Sequence, residues 1–193
     1  MEGSVQEGKS TLIRKAIKNH IKDMGGFSSQ RLINSCGETK GFRIVPASEA
    51  MELTRSYSPD LPDIFLFADG RYRRFRPEIF RDKALNYLKN NESKRMILLD
   101  EIGGIELLVP EFRQALYETL EGNIPCIGVI KTEAANRNLG KYARAGEEGM
   151  SFYYSQLKDV LIDRCHSKIA PFERNNPAGA EGEIQAFINK IFI

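Results

Sequence analysis

The N-terminal residues read Gly3-Ser4-Val5-Gln6-Glu7-Gly8-Lys9-Ser10 and match the pattern G-x-x-x-x-G-K-[ST] in full. The glycines allow the backbone to curl, so that its N–H groups and the N-terminus of a following helix point at phosphate oxygens. In such a loop Lys9 neutralises the β- and γ-phosphates of a nucleotide, and the Ser10 hydroxyl holds magnesium. The pattern therefore predicts a phosphate-binding loop, in which the acidic Glu7 must point away from the phosphates.

An amphipathic helix is predicted directly after this loop, as the motif requires. Between residues 11 and 24 apolar side chains recur at helical spacing, with Lys and Arg between them: Leu12, Ile13, Ala16, Ile17 and Ile21. The Gly25-Gly26 pair then ends the helix. A phosphate loop also normally follows a buried central strand, but here Met1-Glu2 alone precede Gly3 in the sequence. We expect either that this strand is missing or that the sheet compensates for it.

A second motif is the apolar run Met96-Ile97-Leu98-Leu99 followed by Asp100-Glu101, which is a Walker B pattern. A carboxylate at the C-terminal end of such a strand lies beside the phosphate loop, so Asp100 is predicted to bind magnesium, usually through water. Glu101 points the other way and is predicted to polarise an attacking water as general base. The alternative is an acidic strand end that caps a helix.

Strands and helices alternate along the rest of the chain. Two hairpins are predicted, one from residues 27–33 and 41–45, the other across Asp69-Gly70 from residues 64–67 into 71–75. Further helices are predicted over residues 47–55, 77–90, 110–120, 151–165 and 180–191, and further strands over 95–99, 124–130 and 168–172. This alternation predicts a three-layer α/β sandwich with a mainly parallel sheet and antiparallel hairpins inserted before Arg95.

Composition sets limits on the kind of protein. A length of 193 residues, with 41% hydrophobic residues, predicts one globular domain spanning residues 1–193. The net charge of +2 gives no reason to expect a nucleic acid or a membrane as partner. Cys36, Cys126 and Cys165 match no paired metal-ligand spacing and are expected to be free thiols. Since neither a membrane span nor a signal peptide is recognisable, we expect a cytosolic protein.

The residues after the second motif resemble a known family. Asp100-Glu101-Ile102-Gly103-Gly104-Ile105-Glu106-Leu107, followed by Pro110-Glu111-Phe112, is similar to the D-E-I-G-x-[MI]-E-L stretch of a P-loop nucleoside-triphosphatase family. That family is typified by the cancer-related nucleoside triphosphatase and by nucleotide phosphatases of thermophiles. Other segments fall in the order that the family shows: Gly26-Phe27, Gly41-Phe42-Arg43-Ile44, residues 75–80 and residues 125–129. The resemblance covers about residues 3 to 131.

The resemblance implies a RecA-like P-loop fold and slow, Mg²⁺-dependent hydrolysis of ATP, GTP and other triphosphates with weak base preference. The nucleotide-binding residues that it implies are Gly3, Ser4, Val5, Gln6, Glu7, Gly8, Lys9, Ser10 and Thr11. Ser10 and Asp100 are the implied metal ligands, and Lys9 and Glu101 the implied catalytic residues. Glu106 also matches the family, although capping or pairing within its loop is an equally good interpretation. The C-terminal third departs from the family pattern, with Arg174-Asn175-Asn176 as a displaced counterpart of its Asn-Arg pair.

A triphosphatase needs more positive charge at the transferring group than Lys9 supplies. The sequence offers several cations that could meet this need: Arg31, Lys131, Arg137 and the cluster from Arg71 to Arg76. Each is also explained by an ordinary exposed position. The sequence alone therefore leaves the second cation of the site open.

Two other functions remain open at this point. The same site in a small-molecule or nucleoside kinase would transfer the γ-phosphate to an acceptor, with residues 134–149 as a lid that carries Arg137 and Arg144. A non-catalytic nucleotide-binding switch would bind the nucleotide without releasing phosphate. Hydrolysis is the leading hypothesis because the Asp-Glu pair supplies both a metal ligand and a base.

Overall fold

The computed structural model describes residues 1–3, 8–70, 72–135, 146–172 and 174–192. Four residues of the predicted phosphate loop lie outside this part of the chain: Ser4, Val5, Gln6 and Glu7. Arg71, Arg137 and Arg144 also lie outside it, together with most of the predicted lid.

The described elements comprise helices and strands in alternation. The α-helices are α1 (Lys9–Ile17), α2 (Pro77–Leu88), α3 (Pro110–Leu120), α4 (Gly146–Asp159) and α5 (Ala178–Phe192). The strands are β1 (Met24–Ile33), β2 (Thr39–Pro46), β3 (Thr54–Ser56), β4 (Ile64–Asp69), β5 (Tyr72–Phe75), β6 (Met96–Ile102) and β7 (Cys126–Ile130). Short 3₁₀ segments cover Lys18–Asp23, Ala47–Glu49 and Ile105–Leu108, and a π-helical turn covers Val160–Arg164.

The strands form one sheet in the order β5-β4-β2-β1-β6-β7, with β3 pairing beside β1. Strands β1, β6 and β7 are mutually parallel, whereas β2, β4 and β5 continue the sheet in antiparallel fashion. Beyond β7, Glu2 makes parallel bridges to Ile130 on one side and to Pro171 on the other. Met1 and Glu2 thus add a short parallel segment to the sheet directly before the phosphate loop.

Helices cover both faces of the sheet. On one face α2, α3 and α4 pack against Phe27 and Leu99, and the rings of Phe80 and Phe112 meet edge to face with centroids 4.8 Å apart. On the other face α1 and α5 pack against a second apolar cluster: Met24, Met96, Leu98, Ile127 and Val129. Strand β6 is apolar on both faces for this reason. The predicted three-layer α/β sandwich is confirmed. Among the described residues, a helix with the length and hydropathy of a membrane span is absent.

The structure corrects four predicted elements. Helix α1 ends at Ile17 and gives way to a 3₁₀ segment, so that β1 begins at Met24 rather than at residue 27. The helix predicted over residues 47–55 is wrong, because only Ala47–Glu49 form a 3₁₀ turn and strand β3 follows. Backbone hydrogen bonds to β1 outweigh the local helical pattern here, since the N–H of Arg31 donates to the carbonyl of Leu53 at 3.0 Å. The strand predicted over residues 168–172 is reduced to the bridge at Pro171.

Candidate nucleotide and hydrolytic site

The two sequence motifs meet at one edge of the sheet. The Ser10 hydroxyl, on the first turn of α1, donates a hydrogen bond of 2.7 Å to Oδ1 of Asp100 near the end of β6. Gly8 caps the helix with φ 101°, a left-handed conformation that favours glycine. Lys9, the first helical residue, is buried. The structure thus brings together the end of the phosphate loop and the acidic end of the strand, as the motifs predicted.

Asp100 is the most enclosed carboxylate of this site, with 3% of its surface exposed. Its Oδ2 atom accepts hydrogen bonds from the Ser28 hydroxyl at 2.7 Å and from Arg14 at 2.8 Å. The sheet register places Ser28 beside it, because Phe27 pairs with Leu99 on the parallel neighbours β1 and β6. Burial raises the pKa of Asp100, and the charge of Arg14 opposes that rise. The carboxylate is therefore held in one orientation.

Arg14 is a site residue that the sequence analysis missed. Its guanidinium is buried, pairs with Asp100, bonds the Ser28 hydroxyl at 2.6 Å, and donates from Nε to the carbonyl of Ala50. One signal was available, since Arg14 lies four residues after Ser10 and so shares its helical face. Within the described part of the chain the remaining Nη1 atom is buried and lacks a hydrogen-bond partner. Without Asp100 this cation would be buried and uncompensated.

A second cluster of buried polar side chains lies beside the cluster of Arg14, Ser28 and Asp100, on the same face of the sheet. Gln30 follows Ser28 by two residues on β1 and accepts a hydrogen bond of 2.6 Å from Nε of Arg43. Arg43 also donates to Asp63 at 3.1 Å. The amide of Gln30 donates to the carbonyl of Glu52 at 3.0 Å. Side chains of β1 and α1 thus fix the connection between β2 and β3, where a helix had been predicted.

Glu101 differs from its neighbour in both exposure and backbone conformation. Its side chain is 35% exposed, and its φ of 65° places it in the left-handed region that few residues other than glycine adopt. The pairing of β6 with β7 is irregular between Leu99 and Ile102, and at this irregularity Glu101 leaves the enclosure that Asp100 occupies. Strained backbone of this kind occurs most often at functional sites. The arrangement suits a base that needs access to water.

Lys131 and Glu106 surround Glu101. The Lys131 ammonium donates a 2.6 Å hydrogen bond to the backbone carbonyl of Glu101, and lies 3.9 Å from the carboxylates of both Glu101 and Glu106. Glu106 is buried, and its Oε1 accepts a hydrogen bond of 2.6 Å from the N–H of Gly104. These contacts agree with the interpretation that Glu106 pairs within its own loop.

The other predicted cations fall elsewhere. Arg74 lies on β5, the edge strand that is separated from β6 by β4, β2 and β1. The Arg76 guanidinium lies 5.9 Å above the ring of Phe67 on the neighbouring strand. Arg137 lies outside the described residues. Arg31 lies on β1, where its backbone pairs with Phe42 and Thr54. Among the sequence candidates, Lys131 is the one for which the described structure shows a contact to the acidic strand end.

The oxygen atoms of Ser10 and Asp100 suit a magnesium ion. A hydroxyl and a carboxylate are hard donors, and Mg²⁺ is usually bound by one or two protein oxygens together with substrate phosphates and water. The part of the chain that the structure describes holds no cluster of three or more His, Cys, Asp or Glu side chains suited to a metal. The three cysteines are free thiols, as predicted. Burial raises the pKa of Cys126 to about 12, so it is not a thiolate ligand.

A phosphate-loop helix, a strand-end Asp-Glu pair and a three-layer α/β sandwich together define a P-loop NTPase fold. A family model described as NTPase matches residues 1–153. The chain belongs to this NTPase family, which confirms both the resemblance found in the sequence and the predicted enzyme class, nucleoside-triphosphatase.

Individual relatives agree with this assignment. The nucleoside-triphosphatase THEP1 of Thermotoga petrophila is 30% identical over 125 residues, which cover 64% of this chain and 66% of that protein. The protein of the same name from Thermotoga sp. strain RQ2 is 25% identical over 162 residues, or 80% of this chain and 89% of that protein.

Two solved structures share the fold. The solution structure of a human cancer-related nucleoside triphosphatase superposes with a TM-score of 0.61 at 20% identity, covering 98% of this chain and 95% of that one. The crystal structure of THEP1 from Aquifex aeolicus gives a TM-score of 0.51 at 18% identity, covering 81% and 94% of the two chains. The predicted RecA-like P-loop fold class is confirmed by these likenesses.

Proposed function

We propose that this chain hydrolyses nucleoside triphosphates, ATP and GTP among them, to diphosphate and phosphate with Mg²⁺ bound to the substrate. The observation that carries the proposal is the 2.7 Å hydrogen bond between the Ser10 hydroxyl and Asp100. It joins the phosphate loop to the acidic strand end, and Glu101 follows immediately. A Mg-bound polyphosphate would therefore lie next to Glu101, the proposed general base.

Substrate binding is assigned to residues 3–11. The N-terminus of α1 presents backbone N–H groups and the positive end of its dipole, both of which favour phosphate oxygens. Gly8 provides the left-handed turn that starts this helix. Lys9 is assigned the β- and γ-phosphates, where its charge offsets theirs.

The metal is assigned to Ser10 and Asp100. When bound, Mg²⁺ would polarise the phosphate oxygens and offset charge that develops during phosphoryl transfer. The Ser10 hydroxyl donates a hydrogen bond to Asp100, so the lone pairs of its oxygen remain available to a cation. Arg14 and Ser28 hold the other carboxylate oxygen and so fix the direction in which Asp100 faces.

Glu101 is assigned the role of general base toward the attacking water. Its carboxylate orients the water and accepts its proton while the water oxygen bonds to the γ-phosphorus. The bond between that phosphorus and the bridging oxygen breaks, and its electron pair leaves with the diphosphate. The proton on Glu101 then returns to solvent or to phosphate. No acceptor other than water takes part, which distinguishes this function from that of a kinase.

The proposal includes a weak preference among the nucleobases of the substrate. It is supported by the family resemblance. Comparable rates with ATP, GTP, CTP and UTP are expected. A preference for one nucleobase of more than about 100-fold would contradict this part, since a site built to hydrogen-bond one substrate discriminates by about 10⁴–10⁵-fold.

The test compares wild type with Glu101→Gln in a phosphate-release assay, with and without Mg²⁺. We expect the variant to bind a fluorescent triphosphate normally and to lose turnover by at least about 100-fold, the usual contribution of a general base. Glu92→Gln is the matched control, because Glu92 is exposed on the loop before β6 and should leave the rate unchanged. Normal hydrolysis by Glu101→Gln would refute the assignment of the base.

The same assay separates the remaining alternatives. Phosphate released without any acceptor contradicts a kinase, whereas ADP formation that requires an added nucleoside would favour one. Binding of triphosphate with no phosphate release by wild type would favour a nucleotide-dependent switch.

A further inference from the structure

Lys131 directly follows β7, the strand that lies in the sheet between the start of the phosphate loop and β6. Strand β7 pairs in parallel with β6 on one side, and its last residue, Ile130, bridges Glu2 on the other. Parallel neighbours lie about 4.8 Å apart, so the end of β7 lies about one strand spacing from Gly3 and about one from Glu101. Lys131 therefore lies between the start of the phosphate loop and the acidic strand end.

The contacts of Lys131 hold its ammonium at this edge of the sheet. Its backbone N–H donates to the carbonyl of Ile102 at 2.9 Å, and its ammonium donates to the carbonyl of Glu101 at 2.6 Å. The side chain passes over Gly104, where a Cβ atom would lie 2.8 Å from the Lys131 Cδ. Glycine at this position leaves room for the lysine chain, which is 22% exposed.

The ammonium has hydrogen-bonding capacity that these contacts do not use. An ammonium carries three N–H groups, and the carboxylates of Glu101 and Glu106 lie 3.9 Å away, beyond hydrogen-bonding distance. Among the described contacts of Lys131, one cation thus faces two carboxylates. A γ-phosphate beside Glu101 needs positive charge in addition to that of Lys9, and Arg14 is already committed to Asp100.

We propose that Lys131 is a catalytic residue, whose ammonium contacts γ-phosphate oxygens and stabilises the charge that develops on them during hydrolysis. This inference rests on the function proposed above. Lys131 keeps its proton throughout, while its hydrogen bond to the carbonyl of Glu101 holds the ammonium in place. A competing explanation is that Lys131 only fastens the turn from Glu101 to Gly104.

The test compares Lys131→Met, which keeps the aliphatic chain and removes the charge, with Lys131→Arg and with Lys83→Met. Lys83 is exposed on α2 and serves as the matched control. We expect kcat of Lys131→Met to fall about 100-fold or more, the loss seen when one electrostatic contact to a transition state is removed. Its affinity for a non-hydrolysable Mg-triphosphate should change by less than about fivefold, and Lys131→Arg should retain most of kcat.

A transition-state analogue separates the catalytic role from the fastening role. Aluminium fluoride should tighten Mg-ADP binding to wild type and to Lys83→Met, but not to Lys131→Met. Lys131→Gln is the second variant, because its amide can still bond the Glu101 carbonyl without a charge, and it should behave like Lys131→Met. If these neutral variants bind the analogue like wild type, or keep kcat within about threefold, the proposal is overturned.

The two proposals fail in different ways. If wild type binds the analogue but releases no phosphate, hydrolysis is refuted and the comparison of analogue binding still decides the role of Lys131. If wild type hydrolyses and the neutral lysine variants do so equally well, only the role of Lys131 is refuted. If wild type neither binds nor hydrolyses, both are refuted.

Discussion

Asp100 and Glu101 are consecutive residues, yet their surroundings differ in burial, partners and backbone conformation. Asp100 is enclosed between α1 and the sheet and is held by Ser10, Ser28 and Arg14. Glu101 is partly exposed, adopts a left-handed backbone, and has Lys131 as its nearby cation. Asp100 is thus paired with Arg14 at 2.8 Å, whereas Glu101 lies 3.9 Å from Lys131.

This contrast shows how one short motif supplies two kinds of carboxylate. The buried one is fixed by several hydrogen bonds, so it suits a ligand whose direction must not change. The exposed one has a longer contact to its cation and access to water, so it suits proton transfer. Substitutions at each position should therefore have different effects on stability and on turnover.

Asp100→Asn should produce the largest effect. The change leaves the buried Arg14 uncompensated, and breaking a buried ion pair costs about 3–5 kcal/mol. Turnover should fall at least about 100-fold, because a metal ligand that offsets several kcal/mol of developing charge is weakened. Urea unfolding and phosphate release measure the two losses, with Asp60→Asn as the exposed control.

A double substitution tests whether Arg14 is the reason for the loss of stability. Arg14→Met combined with Asp100→Asn removes both charges, and replacement of a whole buried pair is often close to neutral. The double variant should therefore be more stable than Asp100→Asn alone. Simple additivity of the two losses would show that the pair is not coupled.

Much of the site could be predicted because its signals are local in sequence. The glycine and lysine spacing of the phosphate loop, the apolar run of β6 and the Asp-Glu pair each occupy fewer than about ten residues, within the length of one strand or turn. Their meeting followed from a general property of parallel sheets, whose strand ends share one edge. The contact between Ser10 and Asp100 agrees with that expectation.

Arg14 and the connection after β2 could not be predicted in the same way. On α1 alone Arg14 resembles any charged residue between apolar positions, and its burial depends on Ser28, Ala50 and Asp100 from three distant segments. Residues 47–55 have a helical pattern, but their hydrogen bonds to β1 depend on long-range pairing. Lys131 could be proposed from its charge, whereas its selection from the other cations required the strand order.

Glu101→Gly should have a smaller effect on stability, and of opposite sign. A residue other than glycine in the left-handed region costs about 1–2 kcal/mol, partly offset by the flexibility of glycine in the unfolded chain. A gain of about 0.5–1 kcal/mol in unfolding free energy is expected, together with loss of turnover. Asn90→Gly is the control, since Asn90 has φ 56° away from the motifs and should leave turnover unchanged.

The outcome at Glu101 decides whether its backbone is held under strain for catalysis. Lower stability of Glu101→Gly would mean that its side-chain contacts outweigh the cost of the conformation. That result would make Glu101 resemble Asp100 and would weaken the contrast between the two carboxylates.

Glu2→Gln should have the smallest effect and tests a third carboxylate of this region. Glu2 accepts hydrogen bonds of 2.5 Å from Tyr154 and 2.6 Å from Lys158. Burial raises the pKa of Glu2, but the bonds and charge of Lys158, with the bond from Tyr154, outweigh it and lower the pKa below 4.5. The pKa shift of Glu2 is thus opposite in sign to that of Asp100, whose pKa is raised. Stability from ionised Glu2 is present above 4.5 and is lost as pH falls through the lowered pKa of the folded state.

Because Glu2 is partly exposed, the expected loss of stability in Glu2→Gln is modest, about 1 kcal/mol at neutral pH, and the variant should show a weaker decline in acid. Thermal unfolding from about pH 7 down to about pH 3 measures both quantities. Glu183→Gln is the matched control, because the exposed pair of Glu183 with Lys168 should contribute almost nothing. Identical acid profiles for wild type and Glu2→Gln would mean that the contacts of α4 do not hold the start of the phosphate loop through this carboxylate.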